Sequence, residues 1–505
     1  MAYTSFLMVR RILLYVTLLL LCLGMSRNWI GFGLDPESRE ALEVYLEVAE
    51  LVRGRGAFAV EEDVLLEASL EGMLNRLDPH SHYYSPEVYQ ELMEDQKGKF
   101  SGLGMLVTKP TPTSYLLIVT PMPDTPASRA GLEAGDLILE VDGESTDRLT
   151  TRQTVRLLKG PEGTEVTIKV GRGDRQPEEL TLKRAPIPKH SVPYAFLLDD
   201  HIGYLKLNLF GQASDEEVEE HLDRLSEEGM EALILDLRDN PGGALSAAVS
   251  VSSLFLGKGD DIVSVRGRTR RGPLDYQAHR TGTYGSLPLV VLVNHGTASA
   301  AEILAGAFQD QNRAILIGER TWGKGLVQTV TPVDRGAVAI TTARYFTPSG
   351  RMIQRDYSES YDAYYFEEEA EPEDAANVEE EGGIIPEVSA QAAEIPELAL
   401  RLERRRAFLE FMAEEIKKAE LAIDSLEMDP LFGAFLAHLE QTEEDYTPEE
   451  LEESRSYIRH ALEREARTML AGQSEGYKAM VPLDRPLKKA VEVLSTKGSS
   501  GQKAA

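Results

Sequence analysis

Residues 291–304 read VLVNHGTASAAEIL. An apolar run that begins upstream in LPLVVLVN (287–294) gives way to small polar residues. It then continues as SAAEILAGAFQD (299–310), whose apolar positions recur at helical spacing. A buried strand passing straight into a helix is the repeating unit of an α/β fold. The same passage recurs on either side. IGYLKLNLF (202–210) precedes the helical SDEEVEEHLDRLSEEG (214–229), which carries acidic residues in its first turn. EALILDLRDNPGG (231–243) runs through a Gly-Gly turn into ALSAAVSVSSLFL (244–256), and AILIGE (314–319) supplies a further strand. The alternation from 188 to 354 predicts a largely parallel sheet with helical cover.

Outward from this core the texture changes. Residues 27–97 are expected to be mainly helical: REALEVYLEVAELV (39–52) gathers Leu42, Tyr45, Leu46, Val48 and Ala49 near one face. VLLEASLEGMLNRL (64–77) repeats the pattern up to Asp78-Pro79, a helix stop. Residues 98–187 form short β-type runs such as YLLIVTPM (115–122) and EVTIKVGR (165–172). The core is expected over 188–391, interrupted by an acidic insertion at 355–381 that is low in aliphatic residues. Residues 392–505 read as amphipathic helices. Phe408, Phe411 and Met412 make one face, and Leu431, Phe432, Phe435, Leu436 and Leu439 another; the last stretch, STKGSSGQKAA (495–505), reads as a disordered tail.

The 505 residues suffice for about three domains at ~150 residues each. With 84 acidic against 53 basic residues the net charge is −31, which argues against nucleic acid or an anionic membrane surface as the main partner. The single cysteine, Cys22, excludes a disulfide scaffold. Arg10-Arg11 precedes an uncharged apolar run from Ile12 to Met25, short of the ~20 residues of a spanning helix. Residues 1–26 are therefore expected to be a signal peptide or membrane anchor. Export follows, with the working domains outside the cytoplasm, membrane contact only through this segment and anchoring by it left open.

Ser299 stands where strand becomes helix. Free N–H groups and a partial positive charge at that point suit an oxyanion. Ser299-x-x-Glu302 is also a capping box, which by itself explains a serine there. His295 is four residues away but has no carboxylate nearby to fix its tautomer, and the G-x-S-x-G flanks of a nucleophile elbow are absent. Lys324, in GERTWGKGLVQTV (318–330), is the other candidate base. Its pKa must fall from about 10.4 toward 7, a disfavoured charge of about 4–5 kcal/mol, which burial can supply. Gly323 and Gly325 allow close packing, Trp322 and Leu326 offer apolar cover, and Gln328 can orient the amine. GERTWGKG also mimics a phosphate-binding loop, but Gly325 stands where Ser or Thr must hold magnesium, and LVQTVTPV alternates like a strand. The pair His80 and His82 lacks a third ligand at metal-site spacing and reads as a plain loop. No cofactor is expected.

Two resemblances organise these signals. GLGM (102–105), SRAGLEAGDLILEVDG (128–143) and TTRQTVRLLKGPEGTEVTIKV (150–170) resemble a PDZ domain over 98–187. In such domains the segment at Gly102, Leu103, Gly104 and Met105 holds a C-terminal carboxylate, and the adjoining strand edge accepts the peptide. LDLRDNPGGAL (235–245), VLVNHGTASAAEILAGAFQD (291–310), GERTWGKGLVQ (318–328), YFTPSGRMIQ (345–354) and GGIIPEV (382–388) are similar to the C-terminal processing peptidases. MLNRLDPHSHYYSPEVYQEL (73–92) and GKFSGLGM (98–105) continue that match upstream. The resemblance implies a multidomain α/β protein with a crotonase-like protease core, a parallel-rich sheet, an inserted PDZ domain and helical N- and C-terminal regions. It implies a serine endopeptidase with Ser299 as nucleophile, Lys324 as base and Gln328 as its support. Oxyanion donors are implied at Ala300 and the Gly242-Gly243 turn, and protein substrates are implied to be read by their C-terminal peptide. An adaptor protein and a homo-oligomer are left open as partners. Ala301 stands where the family often has a second serine. A catalytically inactive PDZ-bearing scaffold is the alternative.

Overall fold

The computed structural model describes residues 35–173, 175–198, 201–268, 272–356, 382–419, 421–442 and 444–501. The expected signal or anchor segment, most of the acidic insertion and the last four residues lie outside these. No helix among the described residues is long and apolar enough to cross a membrane. The chain divides into two compact units, Met1–Leu77 and Asp78–Ala505. The first contains α1 (Pro36–Arg55), capped by Asp35, whose carboxylate accepts the Ser38 N–H, and α2 (Glu62–Leu74). α1 buries no side chain, and Tyr45, Leu46 and Val48 on its expected apolar face are exposed.

The second unit opens with β1 (His82–Tyr84) and α3 (Pro86–Lys97). A small β-domain follows: β2 (Lys99–Gly102), β3 (Met105–Thr108), β4 (Leu116–Pro121), α4 (Pro126–Arg129), β5 (Leu137–Val141), β6 (Glu144–Ser145), α5 (Thr151–Leu158), β7 (Glu165–Gly171), β8 (Glu178–Lys183) and β9 (Ala185–Pro188). Its sheet runs β3-β4-β5-β7-β8, with β3 at one edge. β4 is apolar on both faces. Leu116 and Ile118 point into the domain's own core, while Leu117 and Val119 point outward into a different one.

The large sheet is built from β10 (Tyr194–Leu197), β11 (Ile202–Lys206), β12 (Ala232–Asp236), β15 (Leu289–Val293), β16 (Ile315–Gly318) and β19 (Val388–Ser389), in that spatial order. β10 pairs antiparallel with β11, and the other pairings are parallel. Crossovers through α6 (Ser214–Glu227), α7 (Leu245–Ser252) and α8 (Ala300–Asp310) cover one face. A separate antiparallel sheet holds β13 (Asp261–Gly267), β14 (Leu274–Gln277), β17 (Leu326–Pro332) and β18 (Ala337–Phe346), with β1 added along β18. The acidic insertion leaves and re-enters beside one loop. Arg355 N–H donates to Gly323 O, and the Gly383 N–H donates to Ile353 O.

The second face of the large sheet is covered from far downstream. After α9 (Glu397–Arg404), α10 (Ala407–Ala419), α11 (Met428–Gln441), α12 (Pro448–Ala471) and α13 (Gln473–Met480) comes α14 (Arg485–Gly501). Its Leu487, Ala490 and Leu494 pack on Ile202, Tyr204, Ile234, Val290, Leu292 and Ile317. Asp484 caps α14 by accepting the Leu487 N–H and receives two hydrogen bonds from Arg238. Burial alone would raise the Asp236 carboxyl, but Arg238 and Lys206 outweigh it and hold it well below the usual range. α14 also extends to Gly501, into the stretch expected to be disordered. Its Ser495 and Thr496 hydroxyls bond back to the main chain one turn earlier, so these polar residues continue the helix. Leu487→Ala, at 1% exposure, should lower stability by about 2–5 kcal/mol, read as the midpoint of urea unfolding. A shift no larger than that of a surface substitution would deny α14 its place in the core.

The faces read on α10 and α11 meet α12 in a single core around Phe408, Phe411, Phe435 and Leu462. Leu117 and Val119 of β4 belong to that core as well. The small β-domain is therefore seated on the C-terminal helices through the outward face of β4.

Candidate active site

β15 ends at Val293, and the chain turns through residues 294–299 into α8. Asn294 Oδ1 accepts the N–H groups of Asp239 (2.8 Å) and Gly296 (3.1 Å), and Thr297 Oγ1 donates to Leu237 O at 2.9 Å. The loop after β15 is thereby fastened to the loop after β12. At its end Ser299 has φ 57° and ψ −118°, a region sparsely populated by non-glycine residues and costing about 1–3 kcal/mol. This is a sharp strand-to-helix elbow without its usual glycine flanks. The N–H groups of Glu302 and Ile303 donate to the Ser299 carbonyl at 2.9 and 3.1 Å.

Gly242 (φ +102°) packs against this elbow: a Cβ there would lie 2.8 Å from Ser299 Cβ and 2.8 Å from Ala300 N. Its N–H, expected to face an oxyanion, instead donates to Asn240 Oδ1 at 2.8 Å. The N–H groups of Gly243 and Ala300 carry no hydrogen bond among the described residues. Phe210 N–H to Gly242 O (2.9 Å) and Ala244 N–H to Phe210 O (2.8 Å) pin the Gly-Gly turn.

Lys324 sits in the loop between β16 and β17. Gly323 and Gly325 are required by close contact. A Cβ on the first would come 2.9 Å from Gly383 N, and on the second 2.8 Å from Gln354 N. Lys324 Nζ donates to Gln328 Oε1 at 2.9 Å. Burial lowers the lysine pKa, while the charges of Glu302 and Asp78 push it back up. Ser299, Lys324, Gln328, Gly242, Gly243 and Ala300 all line one cavity of about 510 Å³. Leu326 is buried and lines the same cavity. Trp322 does not line this cavity; its ring lies 4.9 Å from that of His295 and 5.1 Å from the Arg355 guanidinium. His295 is exposed and likewise outside the cavity lining.

Three supports were not foreseen. Glu302, read only as a capping residue, is fully buried. Its carboxylate accepts from Ser299 N–H (2.7 Å), Thr321 Oγ1 (2.6 Å), Gly323 N–H (2.7 Å) and Lys324 N–H (2.9 Å), tying the serine turn to the lysine loop. Burial raises its pKa and these donors oppose the rise. The Tyr345 hydroxyl lies against the Ser299 carbonyl at 3.0 Å and against the Lys324 carbonyl. The His80 carbonyl accepts from Gln328 Nε2. Asp78 holds that segment by accepting from the His80 and Ser81 N–H groups and the Ser81 hydroxyl. Burial, and then the charge of Lys324, brings the His80 imidazole down to about 4. Among the described residues there is no cluster of metal-ligating side chains.

In the small β-domain, Gly104 (φ +78°) turns tightly over Thr125, 2.4 Å from its would-be Cβ. The carbonyls of Leu103 and Gly104 are taken by the Ala127 and Met122 N–H groups. The N–H groups of Leu103 and Gly104 are unbonded among the described residues.

The sequence matches the model of peptidase family S41 over residues 201–359 and that of a PDZ domain over 117–172. It is 35% identical over 355 residues to the carboxy-terminal-processing protease of Bartonella bacilliformis, covering 69% of this chain and 81% of that one. It is 38% identical over 295 residues to the carboxyl-terminal-processing protease of Synechocystis sp., covering 57% and 68%. Among solved structures, the photosystem II D1 C-terminal processing protease is 28% identical, aligned over 71% of this chain and 89% of that one with a TM-score of 0.37.

Proposed function

The chain belongs to the carboxyl-terminal-processing proteases of peptidase family S41, and from that premise we propose that it cuts exported proteins near their C-terminal tails with a Ser299–Lys324 dyad. The observation that carries this reading is the lysine's setting: a part-buried amine with a lowered pKa, aimed by Gln328 into the cavity that Ser299 lines. Neutral Lys324 takes the Ser299 proton as Oγ bonds to the peptide carbonyl carbon. The Gly243 and Ala300 N–H groups hold the oxyanion, the C–N bond breaks, and Lys324 returns the proton to the leaving amine. Water then releases the acyl group by the same route. The unbonded Leu103 and Gly104 N–H groups support the PDZ domain's holding the substrate's terminal carboxylate. Export rests on the apolar N-terminal segment.

The test uses an unstructured peptide with an apolar C-terminus, supplied as the free acid and as the amide. The acid should be cleaved with a KM about tenfold lower, and His295→Ala should cleave both as the native protein does. Equal KM values for acid and amide would remove the tail-reading role. Binding of the acid with no cleavage of either peptide would favour the inactive scaffold.

A further inference from the structure

Four ionised side chains meet at the carboxyl ends of β11 and β12, on the face of the large sheet that α14 covers. Lys206 and Asp236 end their strands, Arg238 follows two residues on, and Asp484 comes from the corner between α13 and α14. All four are mostly buried, and two cations balance two carboxylates. The Arg238 guanidinium is their hub. It donates to Asp236 from Nε at 3.0 Å, to the two Asp484 oxygens at 3.0 and 2.7 Å, and to the Tyr477 hydroxyl of α13 at 3.1 Å. The Tyr477 and Tyr204 hydroxyls lie 2.9 Å apart, and Tyr204 donates in turn to Asp236 at 2.7 Å. The main chain of Arg238 is held as well. Its N–H donates to Asp236 Oδ1 at 2.9 Å, and its carbonyl accepts from Lys206 Nζ.

The next residue gives this brace its meaning. Asp239 has φ 58°, a left-handed conformation that a non-glycine residue keeps where its surroundings hold it. It sets the direction in which the chain leaves β12 for Gly242 and Gly243. On one side it is held by Asn294 of the serine turn, which accepts its N–H and donates to its carboxylate at 2.9 Å. On the other it follows directly on the braced Arg238.

We propose that Asp484 and Tyr477 are positioning residues for the protease reaction: the C-terminal helices fix Arg238, and through it the Gly-Gly turn, where the Gly243 N–H meets the oxyanion. The proposal rests on the Ser299–Lys324 reading above and its oxyanion donors. Without the Asp484 charge, two mostly buried cations face one carboxylate, an imbalance that repels the guanidinium from Lys206. A cavity of about 310 Å³ beside these residues gives it room to move. That movement pulls on Asp239 and turns the Gly243 N–H away from its target. A misplaced oxyanion donor costs rate and not substrate affinity, because the charge it holds develops only in the transition state.

The test is Asp484→Asn in the full chain. Asparagine caps a helix as well as aspartate does, so the Leu487 N–H keeps its partner and α14 its seat. On an unstructured peptide kcat should fall about tenfold with KM unchanged. A peptide aldehyde reads the oxyanion site directly: Ser299 Oγ bonds to the aldehyde carbon, its proton passes to Lys324, and the aldehyde oxygen becomes the oxyanion. Its affinity should fall by the same factor as kcat. Tyr477→Phe, which removes one hydroxyl, should lower both about threefold. Native kcat and aldehyde affinity in Asp484→Asn, whatever its urea midpoint, overturn the proposal, as does a raised KM at native kcat. If Asp484→Asn does not fold, Tyr477→Phe decides by the same readouts. Cleavage retained in Ser299→Ala overturns the dyad and the proposal together; an inert Ser299→Ala beside a native Asp484→Asn removes the brace alone.

Discussion

Lys324→Ala, like Ser299→Ala, should lower kcat/KM by at least about 10⁴-fold while leaving the circular dichroism and thermal unfolding of the protein unchanged. The lysine lines the cavity with its amine held by Gln328, and the loop that carries it is held by main-chain bonds that alanine keeps. Its protonation also dictates the pH profile. With neutral Lys324 as the proposed base, kcat/KM should rise with pH through the lysine pKa. Burial puts that acid limb below the ordinary lysine range. Retained cleavage in purified Lys324→Ala would end the dyad assignment, whatever the behaviour of Ser299→Ala.

Glu302 carries the second large effect. Its carboxylate takes four donors from the serine turn and the lysine loop. Glu302→Ala leaves them buried and unbonded at about 1–3 kcal/mol each, enough to remove most of an ordinary domain's stability. Glu302→Gln keeps the shape but turns an amide N–H₂ toward two of the donors. It should fold, with kcat reduced about 10²-fold by misplacement of the dyad. The acid limb supplies the discriminating sign. The Glu302 charge raises the Lys324 pKa, so removing it moves the limb to lower pH. A fall in kcat with an unmoved limb would make Glu302 a packing residue only.

The fold class was legible because each βα passage of the large sheet is written locally, in apolar runs followed by helical spacing. Ser299, Lys324 and Gln328, which the structure brings to one cavity, each sit in a short motif. The supports were not legible, since they act across the chain: His80 to Gln328 spans 248 residues and Asp78 to Thr341 spans 263. Glu302 was visible but explained too cheaply, as a cap, because nothing nearby reveals that Thr321, Gly323 and Lys324 converge on it. One signal was present and unused. Leu116 to Val119 is apolar without alternation, which in an antiparallel strand means that both faces are covered. The covering helices begin nearly three hundred residues later. Within the Gly-Gly turn, the Gly242 N–H is taken by Asn240 two residues before it, a bond that the sequence does not announce.

α14 has a consequence for how the protein comes into being. The sheet that carries the catalytic loops is complete only when residues 485–501 cover its second face, and Arg238, which leads into the Gly-Gly turn, finds Asp484 only 246 residues later. At roughly 5–20 residues per second of synthesis, the nascent chain spends on the order of ten seconds with its strands made and its Gly-Gly turn unbraced. Until residues 485–494 are made, the sheet between the catalytic loops therefore keeps one apolar face without the helix that covers it.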